Sequence, residues 1–137
     1  KAVLPSKQDL INQIKTLYAG RIGEYLLLDD ENKITTGASS DIKEATKIIH
    51  DMIYQYGMSE KFGLLNPDKF SFMSHSKEIL DEASSISKQL YQETLKFMEE
   101  KKPLLNQIAT ALLEKESLTE AELDKIIQIY NEKSSMN

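Results

Sequence analysis

The residues best placed to do chemistry lie in one short stretch, Thr35-Thr36-Gly37-Ala38-Ser39-Ser40-Asp41, where a run of small residues delivers a carboxylate to a helix entrance. Residue type and spacing leave two readings of Asp41. With Glu44 three positions on, it fits an ordinary capping pair, the commoner use of such a residue. Alternatively, it projects from the helix mouth as an oxygen ligand to a metal held mainly by residues elsewhere. Glu24 is the second candidate: lying between Gly23 and the apolar run 25–28, it is either a solvated helix residue or a partly buried carboxylate facing a site. His50 and His75 have no partner at i, i+4 and read as surface or packing residues. There is no Cys, so any zinc here needs His or carboxylate ligands. The chain contains no H-E-x-x-H, no phosphate-cradling G-x-x-x-x-G-K-[ST] and no G-x-S-x-G, so it does not carry a complete active site by itself.

The elements that must position these residues read as helices throughout. All five Gly fall before residue 64, and the remainder is rich in helix formers. Ser6 with Asp9 is a capping arrangement ahead of Leu10, Ile11, Ile14, Leu17, Tyr18 and Ile22, which predicts a first helix over 7–28. Gly20 and Gly23 within it either mark close approach of another element or are simply tolerated there. After a polar turn at 29–33 and the small-residue loop, a second helix is expected over 41–56, with Ile42, Ala45, Ile49, Met52, Ile53 and Tyr56 on its inner face and Gly57 as a left-handed cap.

The connector 57–75 is irregular, with Phe62, Leu64 and Leu65 expected as anchors and Phe70 and Phe72 as a short extended piece. A third helix from Ser76 carries Ile79, Leu80, Ala83, Ile86, Leu90 and Phe97 and is broken at Pro103, which opens a fourth. Thr119 with Glu122 forms a capping box, stapled by Leu118 and Leu123, for a last helix over 120–131. The apolar stripes of these last three helices read as core. The expected fold is all-α, a bundle of about five helices.

Composition sets the outer limits. With 137 residues, 40% of them hydrophobic and 28% charged, the chain is sized for one folded domain. The formal charge of −5 and the lack of a basic patch argue against nucleic acid as a partner. No run approaches the roughly 20 apolar residues that span a bilayer, so a soluble segment without membrane contact is expected. The start at Lys1 and the polar end at Lys133-Ser134-Ser135-Met136-Asn137 read as those of a piece of a longer protein.

Four stretches, in order, carry a family resemblance. Leu17-Tyr18-Ala19-Gly20-Arg21-Ile22-Gly23-Glu24 is similar to an L-x-G-G-R-x-A-E helix. Thr36-Gly37-Ala38-Ser39-Ser40-Asp41-Ile42 with Ala45-Thr46 is similar to T-G-A-x-N-D-[IL]-x-x-A-T. Tyr56-Gly57-Met58-Ser59-Glu60-Lys61-Phe62-Gly63 is like a G-M-S-E-x-x-G segment, and Ala111-Leu112-Leu113-Glu114-Lys115-Glu116-Ser117-Leu118 is like A-L-L-E-x-E-[TS]-L. Together they resemble the C-terminal part of the peptidase domain of the FtsH-like ATP-dependent zinc metalloproteases. The chain differs from the usual pattern at Ala19, Gly23, Tyr25 and Ser40.

The resemblance implies a partial peptidase domain over 1–137: the first helices and the Asp loop over 6–56, the connector over 57–75, and C-terminal helices over 76–131. It implies that Asp41 is the third zinc ligand, beside two His of an upstream H-E-x-x-H helix, and that Glu24 orients the site from behind the ligands. The implied chemistry is metal-assisted peptide hydrolysis, with the Glu of H-E-x-x-H as base. The implied parent is a homo-hexamer acting on protein substrates. It carries ATP and magnesium in a separate ATPase domain and is anchored to a membrane, with this domain on the cytoplasmic, matrix or stromal side. Without the upstream half of the peptidase domain, this chain is expected to hold zinc poorly and to be inactive. The competing expectation, from a different class, is a non-catalytic helical protein-interaction or oligomerisation module in which Asp41 is only a cap.

Overall fold

A computed structural model describes residues 4–70, 76–115 and 117–135, apart from the side chains of 38, 68 and 113. Five α-helices follow in order: α1 (Lys7–Leu28), α2 (Ser39–Tyr54), α3 (Ser76–Glu100), α4 (Lys102–Lys115) and α5 (Glu120–Ser135). Three short 3-10 turns interrupt the loops, at Glu31–Lys33, Thr36–Ala38 and Pro67–Lys69. Among the described residues there is no strand, only an isolated bridge between Ser59 and Gly63, and no helix is long and apolar enough to cross a membrane. The all-α expectation holds.

Helix α1 starts where its capping box forms. The Asp9 N–H donates to Ser6 Oγ at 3.1 Å, and the Ser6 N–H donates to Asp9 Oδ2 at 2.9 Å. Two of the donors that a helix start leaves open are thereby satisfied. It ends at Asp29, whose left-handed backbone (φ 54°) lets its N–H reach Tyr25 O at 2.8 Å. Between these ends Leu10, Ile14, Tyr18, Ile22 and Leu26 recur every four residues and are buried. They pack with Ala45, Ile49, Met52 and Ile53 of α2 and Leu90 of α3, so the core lies where the first three helices meet. The Tyr18 and Ser87 hydroxyls share a hydrogen bond of 2.7 Å that satisfies both across the α1–α3 seam.

Helix α2 begins two residues earlier than expected because the 3-10 turn Thr36–Ala38 runs into it without a break. Its C-terminal end widens, with the Tyr56 N–H donating to Asp51 O at 3.1 Å and the Met58 N–H to Met52 O at 3.0 Å. Gly57 closes this turn at φ +62°, the left-handed cap expected of it.

Several expected core residues lie outside. Ile42, Tyr56, Leu65 and Leu112 are exposed, and Leu64, Leu80 and Phe97 reach 94%, 69% and 60% exposure. Of the expected connector anchors Phe62 packs against the core, joined by partly buried Met58 and by buried Ser59 and Pro67. The Ser59 hydroxyl donates to Glu82 of α3 and accepts from the Phe62 N–H, while the Lys61 N–H also donates to Glu82. On α3 the inward face is rotated toward Tyr91, Thr94, Leu95 and Met98. Thr94 tolerates burial because its hydroxyl donates to Leu90 O at 2.7 Å. The expected extended piece falls partly on Phe72, outside the described residues, while Phe70 follows the 3-10 turn at Pro67–Lys69.

Pro103 is the second residue of α4, where its missing N–H costs nothing because the first helical donors lack intrahelical partners anyway. The second capping box forms as expected, with the Glu122 N–H donating to Thr119 Oγ1 at 3.1 Å and the Thr119 N–H to Glu122 Oε1 at 3.2 Å. None of the described side chains of α4 or α5 is fully buried, so these stripes are a half-covered seam rather than the core expected of them. Helix α5 is tied back by Lys101, which lies over the Phe97 and Tyr130 rings, and by the Tyr130 hydroxyl, which donates to Glu100 O at 3.3 Å.

Candidate functional site

The loop between α1 and α2 is built around one hydroxyl. Thr35 Oγ1 donates to Glu24 Oε1 at 2.8 Å, and the Thr35 N–H donates to the other oxygen, Oε2, at 3.2 Å. The same hydroxyl accepts from the Gly37 N–H at 3.2 Å, which caps the 3-10 turn. A methyl built on Gly37 would come within 3.2 Å of that hydroxyl, so the turn is tightest with no side chain there. Glu24 is half-buried on α1 and spends both oxygens on this loop. Its side chain is partly buried and turned toward this loop.

Asp41 stands in the first turn of α2, where a negative charge is favoured by the helix dipole. It is not the cap, because α2 already begins at Ser39 and the preceding turn is capped by Thr35. Among the described residues no hydrogen bond or ion pair engages its half-buried carboxylate. That carboxylate lies over α1: a methyl on Gly20 would sit 3.8 Å from Asp41 Oδ2, and nothing else falls within 4 Å. The glycine pair on α1 therefore does face neighbours, Asp41 at Gly20 and Met98 at Gly23, but at ordinary contact distance rather than in a close backbone crossing.

An aspartate with both oxygens uncommitted is a fit donor for zinc, which accepts carboxylate oxygen beside His. It is one donor only. Among the described residues no group of three or more His, Cys, Asp or Glu comes together to hold a metal ion.

His50 is stacked on Tyr54, with ring centroids 4.3 Å apart, and its Nδ1 is 3.2 Å from Asp51 Oδ1. It is a packing residue on α2, as expected of it. Asp51 is buried and also accepts from Lys47 at 2.8 Å, and this bond above all holds its carboxyl below the usual range. His75 lies outside the described residues. Sequence reasoning singled out Glu24 and Asp41 but missed Thr35, the residue that joins the strip of α1 carrying Glu24 to the turn feeding α2. The available signal was a Thr two residues ahead of Gly37, the spacing of a hydroxyl-capped turn.

Comparison with known proteins gives this arrangement a context. The chain is 37% identical to the ATP-dependent zinc metalloprotease FtsH of Caldicellulosiruptor bescii, over 89% of this chain and 22% of that protein. It is 41% identical to FtsH 2 of Thermoanaerobacter sp. (strain X514), over 95% of this chain and 24% of that protein. With the FtsH of Lachnoclostridium phytofermentans the identity is 37%, over 88% and 21% respectively. The chain thus spans about a fifth to a quarter of the length of the curated relatives it matches. The family model for peptidase family M41 matches residues 1–126, the α1–α2 loop with Glu24, Thr35 and Asp41 included, and the chain belongs to that family.

Proposed function

We propose that this chain is the part of an ATP-dependent zinc metalloprotease that donates Asp41 as the third protein ligand to zinc. The observation that carries the reading is the Asp41 carboxylate itself, set in the first turn of α2 over side-chain-free Gly20 and uncommitted among the described residues. In this reading, two His and the base of an H-E-x-x-H helix come from a segment upstream of this chain. Residues 6–56 form the half of the peptidase domain that carries the ligand, 57–75 connect, and 76–131 supply helical packing. Held by Asp41 and the two His, zinc would supply Lewis acidity for a peptide carbonyl and would lower the pKa of water so that the Glu of H-E-x-x-H could take its proton. Asp41 supplies negative charge and one fixed position in that cage, and Glu24 holds the loop that aims it. The parent is a homo-hexamer, anchored to a membrane and driven by ATP and magnesium in a separate domain, that degrades protein substrates on the cytoplasmic, matrix or stromal side. The relatives' names support the ATP-dependent zinc metalloprotease, and the hexamer, the anchor and its side follow from the family resemblance of the four motifs.

The test is zinc content in the full-length protein. Asp41→Ala should lose most bound zinc and with it casein degradation, while keeping its helical circular dichroism. Full zinc occupancy in that variant would refute the assignment. A second reading, a helical interaction module, draws on the apolar groove of about 660 Å³ lined in part by Ala19, Phe97, Met98, Leu105 and Ile127. It expects metal content indifferent to Asp41 and self-association that grows with concentration.

A further inference from the structure

We infer that Thr35 is a positioning residue of the metal site: its hydroxyl locks the α1–α2 loop to Glu24 and so fixes where the Asp41 carboxylate stands. The inference rests on the assignment of Asp41 as a zinc ligand and goes beyond it.

The geometry is a relay of three contacts around one side chain. Both oxygens of Glu24 are taken by Thr35, one by its hydroxyl at 2.8 Å and one by its backbone N–H at 3.2 Å. The acceptor carries charge, which makes these the stronger kind of hydrogen bond. The hydroxyl has already used its proton on Glu24, so it meets the Gly37 N–H as an acceptor, at 3.2 Å. From Gly37 onward there is no slack. The Ser39 N–H donates to Thr36 O within the 3-10 turn, and α2 starts at Ser39 with Asp41 as its third residue. Displacing Thr35 therefore displaces the first turn of α2 as a unit.

The opposite wall is fixed too. Glu24 and Gly20 lie four residues apart on α1, hence on one face and one turn from each other, and Gly20 is the residue beneath Asp41 Oδ2. The same stretch of α1 thus grips the loop at one turn and receives the carboxylate at the next. Gly37 has its own place in this arrangement, since any Cβ there would press on the Thr35 hydroxyl at 3.2 Å.

The experiment measures zinc affinity in the full-length protein, by competition between the protein and a chromophoric chelator for Zn²⁺. Thr35→Val keeps the shape and removes the hydroxyl. Its zinc affinity should fall about ten- to a hundredfold, the usual effect of losing a group that orients a ligand. Thr35→Ser, which restores the hydroxyl, should recover most of that loss. Gly37→Ala should weaken zinc in the same direction by pushing on the same hydroxyl, and it keeps the test decisive should the Val variant fold poorly. Asp41→Ala serves as the reference. If that variant keeps its zinc, the ligand assignment is wrong. If it loses zinc while Thr35→Val and Gly37→Ala bind as tightly as the parent, the ligand stands and the positioning role of Thr35 is overturned. A Ser variant as weak as the Val variant would also overturn it, because the hydroxyl would then not be what matters.

Discussion

Replacing Gly20 or Gly23 with alanine should stabilise this chain, against the usual expectation for a glycine that faces another element. Both lie well inside α1, and neither has a positive φ. The methyl at Gly20 would find its nearest neighbour, Asp41 Oδ2, at 3.8 Å, and that at Gly23 would find Met98 Cε at 3.9 Å. These are ordinary van der Waals distances, so no atom has to move. What remains is the backbone entropy that glycine loses in a helix interior, about 0.8–1 kcal/mol per residue relative to alanine. At about 2.1 cal/mol/K per residue, a chain of this length has an unfolding entropy near 0.3 kcal/mol/K, so each substitution should raise the melting midpoint by roughly 3 °C. Thermal unfolding followed by circular dichroism at 222 nm on Gly20→Ala, Gly23→Ala and the double variant measures this directly. The two methyls touch different partners, so their effects should add approximately. A midpoint unchanged or lowered in both single variants would show that α1 is crossed more tightly than these distances allow, and the placement of Asp41 over Gly20 would fall with it.

Gly57→Ala should act in the opposite direction. Its φ of +62° is strained for any residue with a Cβ, at about 1–2 kcal/mol, and the new methyl would meet Leu64 Cδ2 at 3.1 Å; a melting midpoint equal to the parent's would contradict the left-handed cap. Acid should weaken the fold from below about pH 4.5, because the carboxylates of Asp9, Asp51, Glu93 and Glu122 all titrate lower in the folded chain than they ordinarily do. Glu122 has the clearest window. Its hydrogen bond with Lys115, with help from Thr119, takes it from 4.5 to about 2, so its contribution is complete above 4.5 and is lost as the pH falls toward 2. Urea midpoints measured from pH 7 to pH 2.5 should fall accordingly, and a midpoint flat across that range would refute the linkage.

Local signals were readable from the chain, and non-local choices were not. Ser6 with Asp9 and Thr119 with Glu122 each complete their bonds within three residues, and Gly57 closes a turn made of its own neighbours, so residue type decides all three. On the inner face of α1, Leu10, Ile14, Tyr18 and Ile22 were legible from their four-residue spacing, although apolar residues also stand elsewhere on that helix. On α3 the apolar spacing marks Leu80 and Phe97 as readily as Leu90, and the packing buries Thr94 and partly buries Met98 in their place. The site shows the same division. Asp41 and Glu24 stand in recognisable motifs. The bond that joins their surroundings links positions 24 and 35 across a loop, through a threonine with no periodic pattern to mark it. The start of α2 at Ser39 was missed for a related reason: Asp41 is a good capping residue in isolation, and only the capped 3-10 turn before it moves the boundary.

The uneven depth of burial gives the molecule two tiers of permanence. From α1 to α3 the helices share an interior, so their backbone amides are released to solvent chiefly when the whole assembly opens. The hairpin of α4 and α5 hides no described side chain fully, and among the described residues it adds only Leu105 to the packing around that interior. In a deuterium-labelling time course α4 and α5, about the last quarter of the chain, should therefore take up label well ahead of α1, through openings too small to register in a melting curve.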